Sequence, residues 1–359
     1  MTKIDIISGF LGAGKTTFIK KLLEEAIAGE QVVLIENEFG EIGIDGGFLK
    51  DSGIEIREMN SGCICCSLVG DFGRSLEEVL TKYKPDRVII EPSGVGKLSD
   101  VMKAVRDVAS NLDVTLNSAV TVVDASKCKM YMKNFGEFFD NQVAYAGTII
   151  LSRTDVADAK KVDAAVKMLR EANPKAVIVT TPVSQLTGAQ LLEIIEKPDT
   201  MEEELMKEAL EAFEESHEHH HDHDEECGCG HDHHHEGEDH DHHHDHDHHH
   251  DHGDSCGCGH DHHHHHADEV FSSWGMENVQ PISREDLEKI LDELAYGADF
   301  GDVLRSKGMV PGTDGQWFYF DLVPEEYEIR TGSPDYTGKV CVIGAKLKEE
   351  ELEKAFSRS

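Results

Sequence analysis

The chain has 359 residues, enough for two domains and a sizeable core. Its formal net charge of −37 excludes a nucleic-acid or anionic-membrane partner by simple repulsion. Its nine cysteines are too few and too clustered for a disulfide-stapled fold. No stretch reaches the roughly 18 apolar residues of a membrane span, and MTKIDIISGF opens without a basic secretory leader. The expected compartment is the cytoplasm, where thiols stay reduced and grouped Cys point to metal or catalysis.

From residue 3 to about 197, short apolar runs alternate with amphipathic ones. KIDIISGF, QVVLIENEF, DRVIIEPSG, SAVTVVDAS, GTIILSRTD and KAVIVTTPV are predicted as buried strands, rich in Val and Ile. TTFIKKLLEEAIAG and VDAAVKMLREAN are predicted helices between them. This alternation predicts an α/β fold with a mostly parallel sheet covered on both faces. Reactive side chains are then expected at the carboxyl ends of the strands.

The first motif is GFLGAGKTT, residues 9–17, which fits G-x-x-x-x-G-K-[ST] between a predicted strand and a predicted helix. Gly9, Gly12 and Gly14 let the backbone wrap a phosphate, with Ala13 and Thr17 in the same cradle. Lys15 is placed to reach β and γ phosphates, and the Thr16 hydroxyl to bind Mg²⁺. IENEFGEIGID follows, with Glu36 at a strand end and Glu41 five residues on, either metal-ligating carboxylates or a charged loop. SGCICCSL then groups Cys63, Cys65 and Cys66. Three thiols in a polar loop suit a borderline or soft metal; redox chemistry and plain packing are the alternatives, though C-x-C-C lacks the C-x-x-C spacing of tuned redox pairs.

DRVIIEPSG supplies Glu91 at a strand end to hold Mg²⁺ through water, and Gly94 to approach the γ phosphate. In TIILSRTD, Ser152, Arg153 and Asp155 are expected at the base. An Asp155 carboxylate at the strand end accepts the two N–H groups of guanine, a pair adenine lacks, and the flat Arg153 guanidinium can stack on the ring. GTP is therefore the expected nucleotide.

Residues 201–216 are predicted as an acidic helix or linker. Residues 217–266 hold all 24 histidines of the chain, 15 acidic residues and Cys227, Cys229, Cys256 and Cys258. CGCGHDHHH occurs there twice, at 227–235 and 256–264, and a repeat interleaved with Asp is not a purification tag. With nothing apolar besides Cys, the tract is expected to be disordered without metal. At roughly two to four ligands per ion it would hold on the order of six to twelve ions. Because no histidine lies elsewhere, a metal in the first domain must use Cys, carboxylate, water or a His lent by the tract. The expected division is a P-loop domain over 1–200, the helix, the tract, and a small C-terminal α/β or α+β domain over 267–359. In this last domain EVFSSWGMENVQ, QWFYFDLVPEEYEI and KVCVIGAKL are read as strands, and SREDLEKILDELAYG and KEEELEKAF as helices on one side of them.

GFLGAGKTT, IENEFGEIGID, NSGCICCSL, VIIEPSGVG and QVAYAGTIILSRTD together resemble the CobW-like P-loop GTPases, nucleotide-dependent metallochaperones related to the urease and hydrogenase nickel-insertion GTPases. The residues from about 268 onward resemble that family's smaller domain. The resemblance implies GTP hydrolysis with Mg²⁺. It also implies transition-metal binding by Cys63, Cys65 and Cys66 with Glu36 or Glu41, and transfer to a client metalloprotein. One position departs: relatives usually carry Lys where this chain has Arg153. Zn²⁺ is the first expectation for the metal, with Co²⁺ or Ni²⁺ insertion and metal storage as alternatives.

Overall fold

The computed structural model describes residues 1–36, 55–58, 69–197, 201–218 and 271–357. The first domain is built on β1 (Thr2–Gly9), β2 (Val32–Glu36), β3 (Glu55–Glu58), β4 (Arg87–Glu91), β5 (Val114–Asp124), β6 (Thr148–Ser152) and β7 (Val177–Val179). They form one seven-stranded sheet in the order β3-β2-β4-β1-β5-β6-β7, and every neighbouring pair is parallel. The six predicted strands are all present, and β3 is an addition. The intervening helices are α1 (Lys15–Glu25), α2 (Val69–Tyr83), α3 (Leu98–Ala109), α4 (Cys128–Ala144), α5 (Ala159–Ala172) and α6 (Gly188–Glu196).

The near-continuous apolar strands have a direct cause. Side chains alternate between faces along a strand, and here both faces are covered. Ile4, Ile6, Val33, Ile35, Val88 and Ile90 face a core with α2, α3, α4 and α5. Ile7, Val32, Leu34, Ile89 and Val120 face the other way, against Phe18, Ile19, Leu22 and Leu23 of α1 and Leu191 and Ile195 of α6. Each such side chain contributes roughly 1.5–3 kcal/mol on burial, so neither face tolerates polar alternation.

The C-terminal region is an α+β unit. Its strands β8 (Ser272–Glu277), β9 (Asp302–Pro311), β10 (Trp317–Val323), β11 (Glu326–Gly332) and β12 (Lys339–Ala345) pair antiparallel in the order β11-β10-β9-β12-β8. One face packs on α8 (Arg284–Tyr296) and α9 (Glu349–Phe356) through Leu287, Leu291, Leu294, Leu352 and Phe356. The other face is also covered. Helix α7 (Met201–Glu218), expected as an acidic helix or linker, lays Leu205 and Ala209 on Cys341 and Ile343. Glu208 of α7 accepts from Arg305 and Lys307 of β9. Helices therefore lie on both sides of this sheet.

Two further differences have physical causes. The run QWFYFDLVPEEYEI is a hairpin of β10 and β11, turning at Pro324 and Glu325, with Glu325 in the left-handed region at φ 66°. The central strand β9 is unpredicted because DVLRSKGMVP carries Arg305 and Lys307 on the face that meets Glu208. Ion pairing there replaces the apolar signal that alternation arguments need.

The two units meet along α5 and the end of β7. Thr180 and Thr181 donate their backbone N–H groups to the Tyr336 carbonyl, and the Thr180 and Thr337 hydroxyls are 2.8 Å apart. Arg170 of α5 pairs with Glu277 at 2.8 Å, and Asp163 accepts from Asn278 at 2.6 Å.

Candidate functional site: a phosphate cradle at the carboxyl ends of the strands

Strand β1 ends at Gly9, φ 143°, where a Cβ would lie 2.3 Å from the Val122 carbonyl oxygen. No other residue fits there. Gly12 and Gly14 hold φ 71° and 103°, the left-handed conformations that turn the chain into α1. The first turn of α1 has no side-chain cap and no acidic residue. Its N–H groups and the positive end of the helix are left for an external anion. Phe10 fixes the loop from behind, its ring 4.5 Å from Tyr131 and 4.9 Å from Phe135 of α4.

Lys15 is buried, its Nζ 3.6 Å from Glu91 Oε1, both side chains about 9% exposed. Thr16 and Thr17 are exposed on the first turn of α1. Glu91 ends β4, in register with Glu36 at the end of β2; both are buried. Glu58 of β3 holds the register position beside Glu36. Carboxylate-bearing residues thus end three adjacent strands, next to the one buried lysine of the phosphate loop. Gly94 is pressed on that loop: a Cβ on it would come within 2.9 Å of the Leu11 nitrogen.

On the other side, Ser152 ends β6 and its hydroxyl donates to the Ala13 carbonyl at 2.6 Å, tying β6 to the phosphate loop. Arg153 follows in the left-handed region at φ 61°. Its guanidinium is half-exposed; Nη2 donates to the Gly12 carbonyl at 3.4 Å and Nε lies 3.1 Å from Asp124 Oδ2. Asp155, expected at the strand end, instead lies in the turn beyond it and is exposed, because β6 stops at Ser152.

Asp124 is a site residue the sequence reading missed. It ends β5 opposite Ser152 and is fully buried. Its Oδ1 accepts from the Ser126 N–H at 2.9 Å and from the Ser126 hydroxyl, while Oδ2 faces Arg153 and, at 3.7 Å, Lys127. The available signal was an Asp closing the apolar run SAVTVVDAS at the strand next to β1.

The donor set fits a magnesium nucleotide: an uncapped helix start, a buried lysine, exposed threonine hydroxyls and a strand-end carboxylate converge at one edge. Glu41, Cys63, Cys65, Cys66, Cys227, Cys229, Cys256 and Cys258 lie outside the described residues. Among the described residues, no three His, Cys, Asp or Glu side chains converge as a metal site. No described helix is long and apolar enough to cross a membrane.

Residues 3–180 match the CobW/HypB/UreG nucleotide-binding domain, and residues 271–359 match the cobalamin synthesis protein cobW C-terminal domain. The zinc chaperone CobW of Sinorhizobium sp is 35% identical over 182 residues, covering 43% of this chain and 51% of that protein. The zinc chaperone YeiR of Escherichia coli is 34% identical over 155 residues, covering 43% and 47%. The zinc-regulated GTPase metalloprotein activator 1 of Schizosaccharomyces pombe is 28% identical over 191 residues, covering 51% and 46%. The chain thus aligns with about half the length of each of these relatives. With both domain matches in chain order around the phosphate cradle just described, the chain belongs to the CobW family, a CobW/HypB/UreG nucleotide-binding domain followed by a CobW C-terminal domain.

Proposed function

We propose that this is a cytoplasmic GTP-hydrolysing metallochaperone that binds a divalent transition metal, zinc first, and passes it to a client metalloprotein. The names of its relatives, zinc chaperones and a zinc-regulated GTPase metalloprotein activator, support the reading. The single observation that carries it is the placement of Glu36 and Glu91 as register neighbours beside Lys15.

Lys15 and the N–H groups of Gly12, Gly14 and Thr16 bind the phosphates, while the Ala13 N–H closes the loop on the Phe10 carbonyl. Thr16, and Glu91 through water, hold Mg²⁺, which neutralises charge on the β and γ phosphates. Asp155 reads guanine, with Ser152 fixing its turn to the phosphate loop and Arg153 held along the rim by Asp124. Glu36 joins Cys63, Cys65 and Cys66 around the transition metal, with Glu41 as a further carboxylate. Nucleotide draws Lys15 toward phosphate and away from Glu91. That changes the field at Glu36, and with it the grip on the metal. Linkage makes the effect reciprocal: metal alters nucleotide affinity by the same factor.

The tract, with Cys227, Cys229, Cys256 and Cys258, concentrates ions near the folded domains. Of its flanking elements, α7 packs on the C-terminal sheet and β8 is a strand of it. A storage role is the second reading, favoured by 24 histidines in one segment. Deleting residues 217–266 separates the two. If GTP turnover remains zinc-responsive while total metal capacity collapses, the tract is a reservoir and the transfer site lies in the first domain. If the response vanishes with the tract, the thiol site is refuted. Competition among Zn²⁺, Co²⁺ and Ni²⁺ on the deleted protein selects the metal.

A further inference from the structure

Gln142 lies on α4, fully buried, and is used by nothing described so far. Its Nε2 donates to the carbonyl oxygens of Gly94, at 3.1 Å, and Gly96, at 2.9 Å. Two carbonyl partners on one nitrogen fix the orientation of the amide, since a flipped oxygen would face both of them. The opposite atom, Oε1, is buried and meets no donor among the described residues. A lone buried acceptor is a destabilising feature, and a core position on α4 would be better filled by Met or Leu.

The surroundings explain why glutamine stands there. Thr121 of β5 donates its hydroxyl to the backbone carbonyl of Gln142 at 2.7 Å, anchoring the residue to the central sheet. Asn141, its neighbour, binds Ser99 through both amide atoms, at 3.0 and 3.2 Å. The segment from Glu91 to Ser99 is thus held at its middle by Gln142 and at its end by Asn141. Within it, the Gly96 N–H closes a turn on the Ser93 carbonyl at 2.8 Å. Gly94 is caught between the Gln142 amide and the Leu11 backbone of the phosphate loop.

We infer that Gln142 is the positioning residue of the Glu91–Gly96 loop. Its two donated hydrogen bonds set Gly94 in the arrangement seen here, and its unused Oε1 accepts a backbone N–H of the same loop when nucleotide state changes. One side chain then stabilises two loop settings by exchanging donor for acceptor, without leaving its place in α4. The inference rests on the reading of this loop as the γ-phosphate sensor of a GTPase.

Glu at this position keeps length and acceptor oxygens and removes both donors. Q142E is predicted to lower turnover of GTP by about tenfold or more. It is also predicted to shrink the preference for a non-hydrolysable GTP analogue over GDP by a similar factor, with GDP affinity within about twofold of wild type. Q142H, whose ring N–H restores one donor, should recover part of both. Should Q142E fail to fold, Q142M, uncharged and of the same length, carries the same expectation. Unchanged turnover and an unchanged GTP-analogue to GDP ratio overturn the inference. So does equal loss of both nucleotides, which marks a purely structural residue. If wild-type protein binds both nucleotides without hydrolysing GTP, the GTPase reading fails, and the affinity ratio alone still decides the role of Gln142.

Discussion

At the amino ends of the parallel strands, Arg87 is buried and every arm of its guanidinium is matched: Glu30 at 2.8 Å, Glu196 at 3.0 Å, and Asp5. Asn117 and Ser118 complete the Asp5 carboxylate. Burial disfavours the Arg87 charge, yet the bonds to Glu30 and Asp5 outweigh it and hold the guanidinium above its ordinary pKa. At the carboxyl ends, Lys15 and Glu91 are also buried, though less deeply, and lie 3.6 Å apart. The buried side-chain atoms without a hydrogen-bond partner among the described residues are Ser8 Oγ, Asp124 Oδ2, Gln142 Oε1 and Thr154 Oγ1, with Asp124 held by its ion pair with the rim residue Arg153. All four belong to this second end: beside Gly9, at the close of β5, against Gly94, and just past β6. One end is a satisfied network that holds the sheet together. The other leaves polar capacity unspent, as a site built for a ligand must.

The sharpest way to break this contrast is to strip each end in turn. Arg87→Met leaves Asp5 buried without its partner and should lower unfolding free energy by about 3–5 kcal/mol in urea titrations. Nucleotide affinity of the folded fraction should stay unchanged; a coupled loss of affinity would erase the distinction. Lys15→Met should do the reverse, weakening GTP-analogue binding on the order of ten- to a hundredfold by titration. Its melting temperature should stay near wild type. Asp124→Asn sharpens the comparison further. It releases Arg153 from the rim and should weaken nucleotide binding by about tenfold, with a smaller change in stability.

The smallest effect concerns α7. Hydrogen bonds first from Lys307 and then from Arg305 hold Glu208 below its ordinary pKa of 4.5. A carboxylate depressed in the folded state stabilises fully above the unfolded value and loses that contribution as pH falls through the folded one. Docking of α7 should therefore weaken only below about pH 4.5, while Glu208→Gln removes that pH dependence. Hydrogen exchange of α7 amides across pH 3 to 6 reads both. Protection that fell on raising pH instead would refute the ion-pair account.

Much of this contrast was legible in the residues. Gly9 to Thr17 announced the cradle because closely spaced glycines and a lysine between a predicted strand and helix have few other uses together. The placement of Glu91 and Ser152 at one edge followed because strand ends in a parallel sheet gather there. Gln142 and Asp124 were missed because a polar residue in an amphipathic helix, or closing an apolar run, reads as solvated. Only the tertiary structure shows both buried. Asp155 was expected at the close of β6 and lies in the turn beyond it, since periodicity does not report where β6 stops. Strand β9 was hidden by charges that are paired across to α7.

In the proposed mechanism, nucleotide and metal share the strand ends of Glu36 and Glu91. This sharing is tested most directly by measuring zinc affinity of the chain lacking residues 217–266, with and without a non-hydrolysable GTP analogue, and analogue affinity with and without zinc. The same factor is expected in both directions, and its loss in the Cys63, Cys65, Cys66 triple-serine variant. Zinc affinity indifferent to nucleotide, or uptake unchanged by the triple substitution, would contradict it.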